Sequence, residues 1–127
     1  MHRVGHRARG PDRRLLRERL NWEGRQSFDE FLALWARTTD DRDFVPVGGE
    51  SSRHAGERLV EFLAELTGTP GPVAVVTHGG ITIDLLRTLL GDDLLPPHLL
   101  AEGIPPCALT VVDDLRAVTI ASVSHLP

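Results

Sequence analysis

The run Pro72-Val73-Ala74-Val75-Val76-Thr77-His78-Gly79-Gly80 constrains this chain more than any other stretch. Four consecutive apolar residues preceded by Gly71-Pro72 read as a strand. No position alternates to polar, so both faces of that strand need cover, which places it inside a sheet. The helical pattern Ile81 to Leu90 follows at once. A strand, a histidine, a glycine turn and a helix in that order put the His78 imidazole at the carboxyl end of the strand. The free N–H groups at the helix start are aimed the same way, and with little side-chain bulk around them they attract anions, phosphate above all. The histidine adds a group that donates to a phosphoryl oxygen near neutral pH.

The rest of the chain supplies helices more readily than strands. Ser27-Phe28-Asp29-Glu30 is a capping box, with Ser27 accepting from the Glu30 N–H and Glu30 reaching back. It predicts a helix to about Thr38, with Phe28, Phe31, Leu32 and Trp35 on one face. Gly48-Gly49-Glu50-Ser51 opens a second helix, capped by Ser51 or Ser52, whose core face carries Leu59, Phe62, Leu63 and Leu66 and which ends at Gly68. Pro11 to Leu20 predicts a short arginine-rich helix, and Leu94 to Pro106 an irregular stretch with one helical turn. Cys107 to Val112 and Ala117 to Val123 are strand-like, and Asp113-Asp114-Leu115-Arg116 joins them as a four-residue hairpin loop. The class is α/β, with helices packed on a small sheet. Nothing in residues 1–70 reads as a strand, however, so the sheet is short of members on its N-terminal side.

At 127 residues and 41% apolar content the chain fits one soluble domain. Its net charge of −4 is uneven. Residues 1–19 hold seven arginines against Asp12 and Glu18, a balance of +5, which leaves −9 for the remainder. A basic arm over residues 1–13, ahead of a domain over 14–127, invites a nucleic-acid reading. The arm contains no aromatic residue on which a base could stack. All 14 basic residues of the chain are arginine, a bias that is not confined to the arm. Nucleic acid is therefore a poor candidate partner. Cys107 is the single cysteine, so no internal disulfide forms, and with no basic neighbour it reads as a small buried strand residue. No apolar run spans a bilayer and the N-terminus lacks a signal-peptide core, so the expected location is the cytoplasm. No histidine pair has metal-ligand spacing and no nucleotide-binding glycine loop occurs, so neither metal nor cofactor is expected.

Leu16-Arg17-Glu18, Trp22-Glu23-Gly24, Gly48-Gly49-Glu50-Ser51 with Arg58 downstream, and Val75-Val76-Thr77-His78-Gly79-Gly80 occur in that order. In this the chain resembles the histidine phosphatase superfamily, and within it the phosphoglycerate mutase-like branch, over about residues 14 to 125. The resemblance implies a three-layer α/β/α fold with a mostly parallel sheet and a C-terminal hairpin. It also implies phosphoryl transfer between two histidines. The first, in an Arg-His-Gly motif after the first strand, attacks phosphorus. The second, matched by His78, stabilises the transferring group, and a carboxylic acid, matched by Glu18, protonates the leaving oxygen. Covalent catalysis of this kind divides one difficult displacement into two, and preorganised donors meet the charge on the phosphoryl oxygens.

The sequence departs from the family at a decisive point. No Arg-His-Gly occurs; Gly5-His6-Arg7 has the wrong order and no apolar strand before it. The chain is therefore expected to be an N-terminally truncated member that begins near the family's second third, which accounts for the sheet deficit. The resemblance assigns catalysis to Glu18 and His78, and phosphate binding to His78, Gly79 and Gly80. The alternative reading of Glu18 is a solvated glutamate paired with Arg14. Arg58 is expected to pair with Glu57 or Glu61. The substrate class is a phosphomonoester or inorganic phosphate, with little or no turnover because the nucleophile is absent. The alternative function is a non-catalytic module that binds phosphate or exchanges strands, forming a homodimer through the open edge beside Val73 to Val76.

Overall fold

The computed structural model describes residues 12–127, so the expected basic arm lies, for residues 1–11, outside the described residues. Four helices, α1 (Phe28–Asp40), α2 (Ser52–Glu65), α3 (Gly79–Leu90) and the short α4 (Pro97–Glu102), precede a hairpin of β1 (Leu109–Asp113) and β2 (Arg116–Ser122). The caps form as the local sequence dictates. Ser27 Oγ accepts from the Glu30 N–H at 3.1 Å and Glu30 returns the bond to the Ser27 N–H, and Ser51 Oγ accepts from the His54 N–H. Among the described residues, Asp12 to Leu20 do not make the α-helix expected over Pro11 to Leu20. Only a 3₁₀ turn forms, Arg13–Leu16, started by Asp12 accepting from the Arg14 N–H.

α3 is the hub. One side packs Ile81 and Leu85 against Ala55, Leu59 and Phe62 of α2. The other packs Ile83 and Leu86 against Leu95 and Leu99, with Ala117, Ile120 and Ala121 of β2 around them. Burial on both sides explains why this helix is apolar nearly all round. α2 lies close enough to α3 that a Cβ on Gly56 would sit 2.5 Å from the Asp84 carbonyl oxygen, so the crossing depends on that glycine.

The sheet corrects the expected architecture. Among the described residues it has two strands, β1 and β2, and they are antiparallel, so a mostly parallel sheet between helix layers is not what forms. Val73 to Val76 carries no ladder. Val76 is 91% exposed and Val73 48%, and Val75 alone of the three valines leans on the α2–α3 core. The physical reason is that a strand is a property of a pair: apolar β-branched residues form one only where a neighbour supplies the other half of the hydrogen bonds. The hairpin loop is also shorter than four residues. Asp113 and Arg116 pair, and the turn is Asp114-Leu115, both left-handed at φ 49° and 58°, as a two-residue turn of the type that matches strand twist requires. Cys107 is exposed, not buried in a strand, and precedes β1 at φ 61°.

A buried polar network ties the N-terminal segment to this core. The Arg19 guanidinium, 3% exposed, donates to both Asp84 carboxylate oxygens at 2.9 Å, to Thr38 Oγ1 and to Thr39 Oγ1. Asp84, fully buried, also accepts from Ser52 Oγ at 2.6 Å. Arg42 then bridges Ser52 Oγ, the Asp84 carbonyl and Thr88 Oγ1. Removing one partner of a buried pair strands the other charge, at a cost of about 3–5 kcal/mol. Arg19→Leu should therefore lower the urea midpoint severely, while Arg14→Ala, which loses only an exposed contact with Asp12, should leave it in place.

Candidate functional site

Glu18 has little freedom in where its backbone runs. Arg58 Nη1 donates to the Leu15 carbonyl at 2.5 Å, Thr77 Oγ1 to the Leu16 carbonyl at 2.6 Å, and the Glu50 N–H to the Arg19 carbonyl at 3.0 Å. Arg58 is itself held by Glu50, not by Glu57 or Glu61, and Glu50 also faces Arg17 and His54. Gly49-Glu50-Ser51 thus braces the segment that carries Glu18, besides capping α2.

The Glu18 side chain reaches the first turn of α3. Its Oε1 accepts from the Ile81 N–H at 2.5 Å and its Oε2 from the Gly80 N–H at 3.2 Å. Glu18 is not paired with Arg14, which is taken by Asp12. His78 is the N-cap residue of α3, extended at φ −123°, and its side chain makes no capping bond. A carboxylate from another segment therefore caps the helix in its place. The Gly80 N–H, expected to face a phosphoryl oxygen, points at that carboxylate. Close approach explains the glycine: a Cβ on Gly80 would lie 2.5 Å from Glu18 Oε2 and 2.5 Å from Trp35 Cη2, whereas one on Gly79 would meet nothing nearer than 3.6 Å.

Burial pushes the Glu18 carboxyl above the ordinary glutamate value; the Ile81 N–H bond and the nearby His78 pull it down, and Asp84 adds a smaller push upward. Glu18 and His78 open onto one cleft of about 420 Å³, walled by Trp22, Phe31, Leu32 and Trp35. Leu20 and Asn21 also line it. A second cavity of about 460 Å³ lies beyond Gly79 and Gly80, against Leu99, Leu100 and Ile104, with the acids Asp40 and Glu102 on its wall. Arg19 lines it too, but its N–H groups are committed to Thr38, Asp84 and Thr39, so the two acids leave the cavity poorly suited to an anion.

The structure thus brings Glu18, His78 and Gly80 together, although 60 or more residues separate Glu18 from the others. On α1, Phe28 and Leu32 are about half exposed, and Phe31, Leu32 and Trp35 wall the cleft. Their helical spacing was visible, but spacing marks a side of a helix and not what covers it. Arg19, which stacks on Trp35 with its Cζ 3.8 Å from the ring centroid, carried no sequence signal of its own. Among the described residues no group of three His, Cys, Asp or Glu side chains gathers as metal ligands would, and no helix is long and apolar enough to cross a membrane.

Comparison with known proteins gives one finding. The sequence profile of the histidine phosphatase superfamily (branch 1) matches residues 13–116. No curated protein and no solved structure matches the chain.

Two outcomes follow from this geometry. Gly80→Ala should cost about 1–3 kcal/mol by overpacking, whereas Gly79→Ala should be neutral or slightly stabilising, as thermal melts of the two variants would show. The second concerns pH. A carboxyl whose native pKa is raised favours folding below its unfolded value and loses that contribution as pH rises through the native one. Starting near the ordinary value of 4.5, wild type should therefore lose stability relative to Glu18→Gln as pH rises toward neutrality, read as the difference between their melting temperatures.

Proposed function

Because the chain belongs to the histidine phosphatase superfamily, we propose that the cleft between Glu18 and His78 is part of a phosphomonoester site, serving hydrolysis or phosphoryl transfer. One observation carries this reading: a carboxyl with a raised pKa and an exposed imidazole share a cleft at the N-terminus of a buried helix. His78 donates to a phosphoryl oxygen, and Gly79 and Gly80 place the positive end of α3 behind it. Glu18 holds the proton for the leaving group. When the ester P–O bond breaks, its electron pair stays on the leaving oxygen and the Glu18 proton goes there. The longer bond at Oε2 makes that oxygen the easier one to protonate.

The phosphoryl group must pass to a nucleophile, and the histidine that serves in this family has no counterpart in the sequence, which lacks Arg-His-Gly. Loss of a covalent nucleophile costs on the order of 10⁶ in kcat in a hydrolase where it has been measured, so this chain by itself is a binding half-site with little or no turnover. The alternative, a module that accepts a strand, rests on Val73 to Val76, which is unpaired and, apart from Val75, exposed.

Titrating inorganic phosphate or vanadate against the His78 ring signals by NMR tests the site. Those signals should move at millimolar ligand, and hydrolysis of p-nitrophenyl phosphate should stay at the blank rate. Ring signals indifferent to both anions would remove the site, and turnover that His78→Ala leaves intact would remove the assignment.

A further inference from the structure

We propose that this cleft selects phosphomonoesters whose leaving group is an uncharged aromatic or alkyl alcohol, and disfavours leaving groups that carry a carboxylate or a second phosphate. The proposal rests on the reading of Glu18 and His78 just given and extends it to the other half of the substrate.

The wall is apolar and aromatic where the leaving group would lie. Of the chain's six aromatic residues, Trp22, Phe28, Phe31 and Trp35 form one ladder, with successive ring centroids 5.2, 6.2 and 6.1 Å apart. Trp22, Phe28 and Leu32 each keep about half their surface open. An aromatic array of this extent in solvent is unusual in so aromatic-poor a domain, and a ring or alkyl chain that covered it would gain by burial and by edge or stacked contact. The ladder ends at the chemistry: Trp35 lies so close over Gly80 that no side chain fits between them, and Gly80 is bonded to Glu18. An alcohol oxygen at the Glu18 carboxyl would therefore carry its substituent toward Trp35 and the other aromatic residues that line the same cleft. The volume of about 420 Å³ suits one ring or a short chain.

Charge points the same way. No arginine lines this cleft among the described residues. The nearest, Arg19, stacks against Trp35, is buried, and directs its N–H groups to Asp84, Thr38 and Thr39. Among the described residues, a second anionic group on the substrate would enter beside Glu18 with no arginine to pair with and only Asn21 and His78 as polar neighbours, which is discrimination by an uncompensated charge. A mutase acting on a substrate with a carboxylate needs a cation at that place, so the wall favours the phosphatase side of the family.

The test uses the full chain and three probes: phenyl phosphate, 3-phosphoglycerate and inorganic phosphate. The indole N–H signals of Trp22 and Trp35 and the His78 ring signals are followed by NMR. Phenyl phosphate should move Trp35 and His78 together and half-saturate at about a tenfold lower concentration than 3-phosphoglycerate. In Leu32→Asp, which puts a charge on the exposed wall, the preference for phenyl phosphate over inorganic phosphate should fall about tenfold. Equal affinity for phenyl phosphate and 3-phosphoglycerate, with His78 responding to both, would overturn the selectivity and leave the site reading standing. Movement of the indole signals without His78 would overturn it too, since the ring would then bind apart from the phosphoryl group. Silence of His78 toward all three probes would instead defeat the site reading, and this proposal with it.

Discussion

The pair of Arg19 and Asp84 is the interaction on which the rest of the molecule depends. Both side chains are removed from water, and burial drives the Asp84 carboxyl upward against the pull of Arg19 and Ser52. On balance the pair is a poor source of stability, because desolvating two ions consumes most of their attraction. What it supplies is position. Arg19 accepts no alternative to Asp84, Thr38 and Thr39 without leaving a buried charge alone, so α1, α3 and the N-terminal segment have one mutual arrangement. Glu18 precedes Arg19, and Gly80 lies one helical turn before Asp84. Fixing one pair fixes the other.

Glu18 then does what a bound anion does at a helix start: it takes the free N–H groups and lies at the positive end of the macrodipole. Two opposing effects act on it. Burial raises its pKa, while the Ile81 N–H and His78 lower it. Burial prevails, so the group is held in geometry suited to a carboxylate while its proton affinity is raised above that of an ordinary glutamate. This combination suits a proton donor, since orientation comes from the amides and the reserve of proton from the apolar walls.

Local features were legible in the sequence and long-range ones were not. Ser27 with Glu30, Ser51 before α2, and the glycine pair at the start of α3 all act within four residues, so their meaning is carried by the neighbouring letters. The hairpin is local as well, although its turn proved two residues and not four. Val73 to Val76 shows the limit. Its composition specifies a strand, but the ladder belongs to whatever lies beside it, and no described segment does. The α1 aromatics show another limit, because period identifies a face and burial depends on the partner. The contact of Glu18 with α3 spans more than 60 residues; only the family pattern put Glu18 and His78 in one site, and no pattern put Glu18 on the amides.

The proposed phosphomonoester site draws no charge from the buried arginines. Arg19, Arg42, Arg58 and Arg87 are all committed to internal partners: Asp84, Ser52 and Thr88, Glu50, and Asp92 respectively. They brace the fold and leave no guanidinium on the cleft among the described residues. A phosphomonoester dianion arriving there meets His78 and a helix start, but also Glu18. If Glu18 is ionised, the two negative charges repel across a low-dielectric gap; if it is protonated, the repulsion goes and a donor takes its place. Anion binding and proton uptake by Glu18 are thus linked, each favouring the other by the same free energy. On the proposed reading, the species that binds best is the one in which the acid already carries the proton that the leaving group needs, and both weak anion binding and proton delivery would trace to the burial of one carboxyl.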